Sequence, residues 1–150
     1  MILRPAQPAD LATLTDICFR SKAHWGYSAA FMEACRDELT MKAKALRQGI
    51  VHLAEIEGHP VAVAQLHVRG GGLADLDKLF VAPEAISKGT GVALFGWAVD
   101  AARAAGARRL ECHADPFAEG FYLRLGMIRA GEVPSQTWPG RLLPHMSLTL

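Results

Sequence analysis

The sequence predicts one mixed α/β domain whose sheet is mostly antiparallel and flanked by helices. Three observations carry that expectation. Between Ile50 and Val81, turn signals separate three runs of strand-like residues, as in an antiparallel meander. From Leu76 to Gly106 a buried strand, a glycine-bearing loop and an apolar helix follow one another. After Arg108 comes a strand that a helical connection makes parallel to the strand at Leu76–Val81.

Taken in order, Ile2-Leu3-Arg4-Pro5 reads as a short first strand. Pro8-Ala9-Asp10 starts a helix whose buried face is marked by Leu11, Leu14, Ile17 and Cys18 at helical spacing, fading near Lys22. His24 to Ser28 is a loop with two aromatics around Gly26. Ser28 suits the N-cap of a second helix carrying Phe31, Met32 and Cys35. A short helix from Met41 to Arg47 stops at Gly49. Ile50–Ile56 and His59–Val68 form a hairpin about Glu57-Gly58, and Arg69 to Gly72 turn the chain toward the central strand.

The central strand is Leu76-Asp77-Lys78-Leu79-Phe80-Val81. Ala82 to Ile86 turn away from it, Ser87 to Gly91 form the loop, and the helix runs from about Val92 to Ala105. Gly106 follows at the position where a left-handed cap favours glycine. Arg108–Ala114 is the next strand. Asp115-Pro116 opens a further helix, with the carboxylate as cap and proline at the first helical position. Phe117, Phe121 and Leu125 are expected to form its buried stripe, with Gly126 at its end. Met127–Val133 and Leu142–Leu150 are two late strands.

The totals bound the function. At 150 residues the chain is read as a single domain, 1–150, long enough to bury a core. A formal net charge of +1 offers no electrostatic footprint for nucleic acid. No apolar run reaches the roughly 18 residues a membrane span needs. The start of the chain carries no signal-peptide pattern. Cys18, Cys35 and Cys112 lack metal-ligand spacing, and their odd number and scatter suit reduced thiols, so a cytoplasmic protein without a metal is expected.

A strand, a glycine loop and a helix start can hold a phosphate. Glycines allow close backbone approach, and the first helical N–H groups have no internal partners. The helix dipole and Lys88 add positive charge. Gly89 and Gly91 are also compatible with an ordinary loop, since neither a P-loop nor a dinucleotide fingerprint is present.

The blocks Leu79-Phe80-Val81-Ala82-Pro83 and Lys88-Gly89-Thr90-Gly91, followed by Asp115 through Met127, resemble the GCN5-related N-acetyltransferase superfamily over nearly the whole chain. The resemblance implies a splayed pair of parallel strands. It also implies acetyl-coenzyme A (acetyl-CoA) as cosubstrate, held by Leu79, Phe80 and Val81, by Lys88 with the amides of Gly89, Thr90, Gly91 and Val92, and by Asp115 and Phe117. Tyr122 matches the thiol-facing tyrosine and becomes the general acid, also touching the cosubstrate; on the bare sequence it is a tyrosine packed on a helix face. The sequence departs from the family pattern at Ile86, where an Arg or Gln would stand three residues before the first loop glycine.

Acetyl transfer to an amine needs a base for the attacking nitrogen and an acid for the leaving thiolate. Asp77 is the leading candidate base, on the same strand face as Leu79 by simple alternation; Glu111 and His113 are alternatives. Trp25 and Tyr27, in the loop after the first helix, read as core or lid aromatics, whereas the resemblance implies that they contact the acceptor. The expected function is N-acetylation of a small-molecule amine or an exposed protein amine, and a homodimer is compatible with it. Two other classes compete: a non-catalytic acyl-CoA-binding or regulatory domain, favoured by Ile86, and a dimerisation module, which would not need the glycine pair.

Overall fold

The computed structural model describes residues 1–150. Its elements are β1 (Ile2–Pro5), α1 (Leu11–Ala23), α2 (Ala29–Ala34), α3 (Arg36–Leu39) and α4 (Ala43–Gln48). They continue with β2 (Ile50–Ile56), β3 (His59–Gly70), β4 (Leu73–Val81), α5 (Thr90–Ala104) and β5 (Arg109–His113). The chain closes with α6 (Glu119–Arg124), β6 (Ile128–Pro134) and β7 (Leu142–Thr149). One seven-stranded sheet has the order β1-β2-β3-β4-β5-β7-β6. Only β4 and β5 are parallel.

The caps expected from sequence are in place. Ser28 Oγ accepts the Phe31 N–H at 3.1 Å. Gly106 takes φ 84° directly after the α5 C-cap, where a side chain would be strained. Helix α5 packs on one sheet face, where Leu94, Phe95, Ala98 and Ala102 meet Ala62, Ala64 and Leu66. Helices α1 and α2 cover the other, with Leu14, Ile17 and Phe31 against Leu53 and Val63. Alternation along β3 feeds both cores: Ala62, Ala64 and Leu66 to one, Val63 to the other.

Three differences from the sequence reading shape the site. Strand β4 starts at Leu73, three residues early, because Leu73–Asp75 pair with both β3 and β5. A bulge in β4 leaves Asp77 without a β3 partner: Leu66 pairs with Leu76, but Gln65 pairs with Lys78. Alternation therefore fails across the bulge. Leu79 packs with the α5-side core, whereas the charges that surround Asp77 belong to Asp75, His67, Lys78 and Arg69. Finally, Pro116–Ala118 form a 3-10 turn before α6, which alters the helical phase. Phe117 is exposed instead of buried, and Tyr122 is the one buried residue of α6.

Candidate active site

The parallel pairing of β4 with β5 is short. It covers Leu73↔Arg109, Ala74↔Leu110 and Asp75↔Glu111, and then stops. Beyond Asp75 the strands part, so the β5-facing backbone groups of Leu76–Val81 have no strand to pair with. An extended ligand arm can use that edge as an added strand would. The opening belongs to a cavity of about 1090 Å³, walled by both strands, the Ile86–Val92 loop, α6, the α1–α2 loop and the β6–β7 loop.

Residues Leu79, Phe80 and Val81 line this cavity, as do Gly89, Thr90, Gly91 and Val92. Gly89 caps α5 at φ 83°. The N–H groups of Gly89, Thr90, Gly91 and Val92 bond to no backbone acceptor; the first helical bond is donated by Ala93 to Gly89 O. Four neighbouring free amides at a 15-residue helix start form a concentrated positive end. The Thr90 hydroxyl is buried there without a partner. Gly91 has a packing reason of its own: a Cβ would meet Val81 Cγ2 at 3.3 Å and Phe121 Cζ at 3.4 Å. This wall fits the pyrophosphate of a coenzyme A. Lys88 belongs to the loop but not to the cavity wall, and Arg124 from α6 lines the cavity instead. Nothing in the sequence marked Arg124; its position depends on the phase of α6.

Tyr122 sits at the inner part of the cleft. Burial pushes its hydroxyl well above the usual tyrosine range, and the neighbouring Cys112 and Asp115 add to the shift. Burial also lifts the Cys112 thiol, to about 12. Cys112 is therefore no activated nucleophile.

The three base candidates separate by their partners. Glu111 lies within 3.7 Å of Arg69, 3.5 Å of Arg109 and 3.2 Å of His145. His113 meets His145 edge-on at 5.3 Å between ring centroids. Asp77 makes no ion pair and faces the cavity. It is solvent-accessible, yet it lies in a concavity, and desolvation, aided by the Asp75 charge, raises its carboxyl.

The loop aromatics are tied to the end of β5. The Tyr27 hydroxyl donates to Asp115 at 2.9 Å and accepts from Arg141 Nη2 at 2.7 Å. Asp115 also caps the next turn, accepting the Phe117 N–H at 2.9 Å. Trp25 stacks on Phe117 at 5.3 Å between centroids, and both rings are exposed. Trp25 lines the cavity; Tyr27 stands behind it.

The pattern of the acetyltransferase (GNAT) family matches residues 12–127. The chain belongs to this family. Solved structures agree in fold. A GCN5-related N-acetyltransferase from Rhodopseudomonas palustris is 25% identical, covers 99% of this chain and 95% of its own, and superposes with a TM-score of 0.83. A ribosomal-protein-alanine N-acetyltransferase from Brucella melitensis is 23% identical over 100% of both chains, with a TM-score of 0.72. An acetyltransferase from Salmonella typhimurium, solved with its cofactor acetyl-CoA, is 22% identical, covers 99% of this chain and 93% of its own, and has a TM-score of 0.70. No curated protein matches the chain. As a GNAT member the protein is an acetyl-CoA-dependent N-acetyltransferase. No helix is long and apolar enough to cross a membrane, and no group of three or more His, Cys, Asp or Glu is placed to hold a metal ion.

Proposed function

We propose that the protein transfers the acetyl group of acetyl-CoA directly to a primary amine of a small molecule. One observation carries the reading. The parallel strand pair ends at Asp75↔Glu111, and the opening beyond it runs from the free amides of Gly89–Val92 to Tyr122 and Asp77 within a single cavity. In this reading the free edge at Leu79–Val81 pairs the pantetheine arm. The amides of Gly89, Thr90, Gly91 and Val92 receive the pyrophosphate, with Lys88 as an outer charge and Arg124 as a nearer one. Phe117 and Asp115 border the arm from the β5 side.

Asp77, directly or through water, takes a proton from the acceptor ammonium or from the nitrogen as it attacks the thioester carbon. A backbone N–H near Val81 stabilises the carbonyl oxygen as it becomes negative. The new C–N bond forms, the C–S bond breaks, and Tyr122 gives its proton to the departing thiolate. The tyrosine is reprotonated from solvent, so the net reaction exchanges an amine proton for a thiol proton.

Burial keeps the Tyr122 hydroxyl protonated throughout the working pH range, so the proton is in place when the thiolate leaves. The same burial makes a thiolate desolvated beside it more basic. The reading is tested by following coenzyme A release from acetyl-CoA with a panel of small amines, together with the thermal shift caused by acetyl-CoA alone. Release accelerated by no amine would refute the reading.

A further inference from the structure

We infer that the acceptor is a small amino acid-like molecule, and that Lys22 and Arg141 form the subsite for its carboxylate. The inference rests on the acetyl-transfer reading and adds the chemical class of the acceptor.

The observation is a buried ammonium with unused donors. Lys22 lies in the last turn of α1, its side chain only 10% exposed, and it lines the cavity. Its Nζ donates no hydrogen bond to the chain. The nearest carboxylate oxygens are Asp115 Oδ2 at 3.7 Å and Glu38 Oε1 at 3.9 Å, both beyond hydrogen-bonding distance. The two carboxylates balance the ammonium charge at ion-pair distance, but no acceptor of the chain takes its N–H donors.

Arg141 comes from the opposite side, at the end of the β6–β7 loop. Its side chain is 15% exposed, and only Nη2 is engaged, by Tyr27 and by Asp115 at 3.2 Å. Nε and Nη1 retain their donors. The two cations share the same aromatic pair: Lys22 Nζ is 5.7 Å and the Arg141 guanidinium 4.9 Å from the Phe31 centroid. They lie 6.0 and 5.3 Å from that of Tyr27. Two cationic heads thus meet over one aromatic floor.

The neighbouring acids do not consume this capacity. Asp115 already accepts from Tyr27, Phe117 N–H and Arg141. Glu38 is half-exposed, and its other oxygen accepts from the Thr137 hydroxyl at 2.6 Å. A carboxylate fits what remains: it accepts from an ammonium and a guanidinium fork together, and such charge-assisted bonds are short and strong. A small acceptor fits the space. The pantetheine arm and the acceptor share one cavity of about 1090 Å³, and pockets for a single ligand span about 300–1,000 Å³. Asp77 remains on the wall to accept the proton of the amine.

The test compares amino acids with two analogues of each, the carboxamide and the decarboxylated amine, as acceptors of acetyl-CoA. The wild type should prefer the carboxylate in kcat/KM by about 30-fold or more, the scale of charge-assisted hydrogen bonds in a desolvated site. Lys22→Met should erase most of that preference through the acceptor KM and leave acetyl-CoA affinity intact, whereas Lys22→Arg should restore part of it. Arg141→Gln provides a second variant should the Lys22 replacement fold poorly. Calorimetric binding of the amino acid panel to the coenzyme A complex reads the subsite without turnover. Equal use of amines with and without a carboxylate would overturn the inference while leaving acetyl transfer standing. Lys22-dependent binding of amino acids without any turnover would overturn acetyl transfer and leave the subsite standing.

Discussion

The Tyr27 hydroxyl bonds to both oxygens of Asp115, at 3.0 and 2.9 Å, across 88 residues of chain. This contact fastens the α1–α2 loop to the end of β5, and Arg141 joins it from the β6–β7 loop. Three loops that wall the cleft therefore meet at one carboxylate. The Tyr27 hydroxyl is raised to about 12, by desolvation first and then by Asp115, so it stays a donor throughout the working pH range.

Removing different members of this cluster should have unequal effects. Tyr27→Phe loses the bond donated to Asp115 and the one accepted from Arg141 but leaves their ion pair in place, and should cost about 2 kcal/mol. Asp115→Ala strips Arg141 of its counter-charge and deprives Lys22 of the nearer acid, and should cost about 3–5 kcal/mol. Urea denaturation of both variants measures the difference. An Asp115→Ala protein no less stable than Tyr27→Phe would show that the cluster is not held by its charge.

Tyr122→Phe keeps the buried ring and removes the proton donor. Coenzyme binding should be near normal, and the single-turnover rate with a good acceptor should fall by about 10²-fold or more. Unchanged single-turnover chemistry would make Tyr122 a packing residue and leave water to protonate the thiolate.

The raised carboxyl of Asp77 has consequences for both rate and stability. A base must be ionised, so the acidic limb of kcat/KM should lie above the ordinary carboxylate range. Asp77→Asn should remove that limb and lower the plateau by about 10²-fold. For stability the sign is opposite to that of a salt-bridged acid. The native state holds this proton more tightly than the unfolded chain, so stability declines as pH rises from the usual carboxylate value through the raised one. Denaturation curves of the wild type should show the decline and those of Asp77→Asn should lack it.

Acetyl-CoA at about 100 times its Kd should stabilise the fold by about 2.7 kcal/mol, which for a domain of this size corresponds to a Tm rise of roughly 5–10 °C. Gly89→Val should lose most of that rise, because φ 83° strains a branched residue and its side chain would stand beside the free amides. Arg124→Ala should weaken binding more than Lys88→Ala, since only Arg124 lines the cavity. Both losses should shrink as salt screens them. Calorimetry that ranks Lys88 above Arg124 would return the phosphates to the outer side of the loop.

Much of this protein was determined locally. Helices, hairpins and the glycine loop depend on periodicity, caps and turn residues that lie within a few positions of one another. Ser28, Gly89 and Gly106 act on their own neighbours and were legible for that reason. The blocks at Leu79–Pro83, Lys88–Gly91 and Asp115–Met127, taken together and in that order, resemble a family, and with it the fold.

What only the tertiary structure decided depends on registers between distant segments. The β4 bulge takes Asp77 out of strict alternation because Gln65 pairs with Lys78, a relationship between two strands that neither contains alone. The 3-10 turn at Pro116–Ala118 changes the phase of α6, burying Tyr122, exposing Phe117 and bringing Arg124 to the cavity. Lys22 read as the fading end of the first helix. It became a buried cation because Arg141, Asp115 and the Tyr27 and Phe31 rings close around it from other elements. Burial and charge pairing arise from surroundings contributed by the whole chain, and no window of sequence contains them.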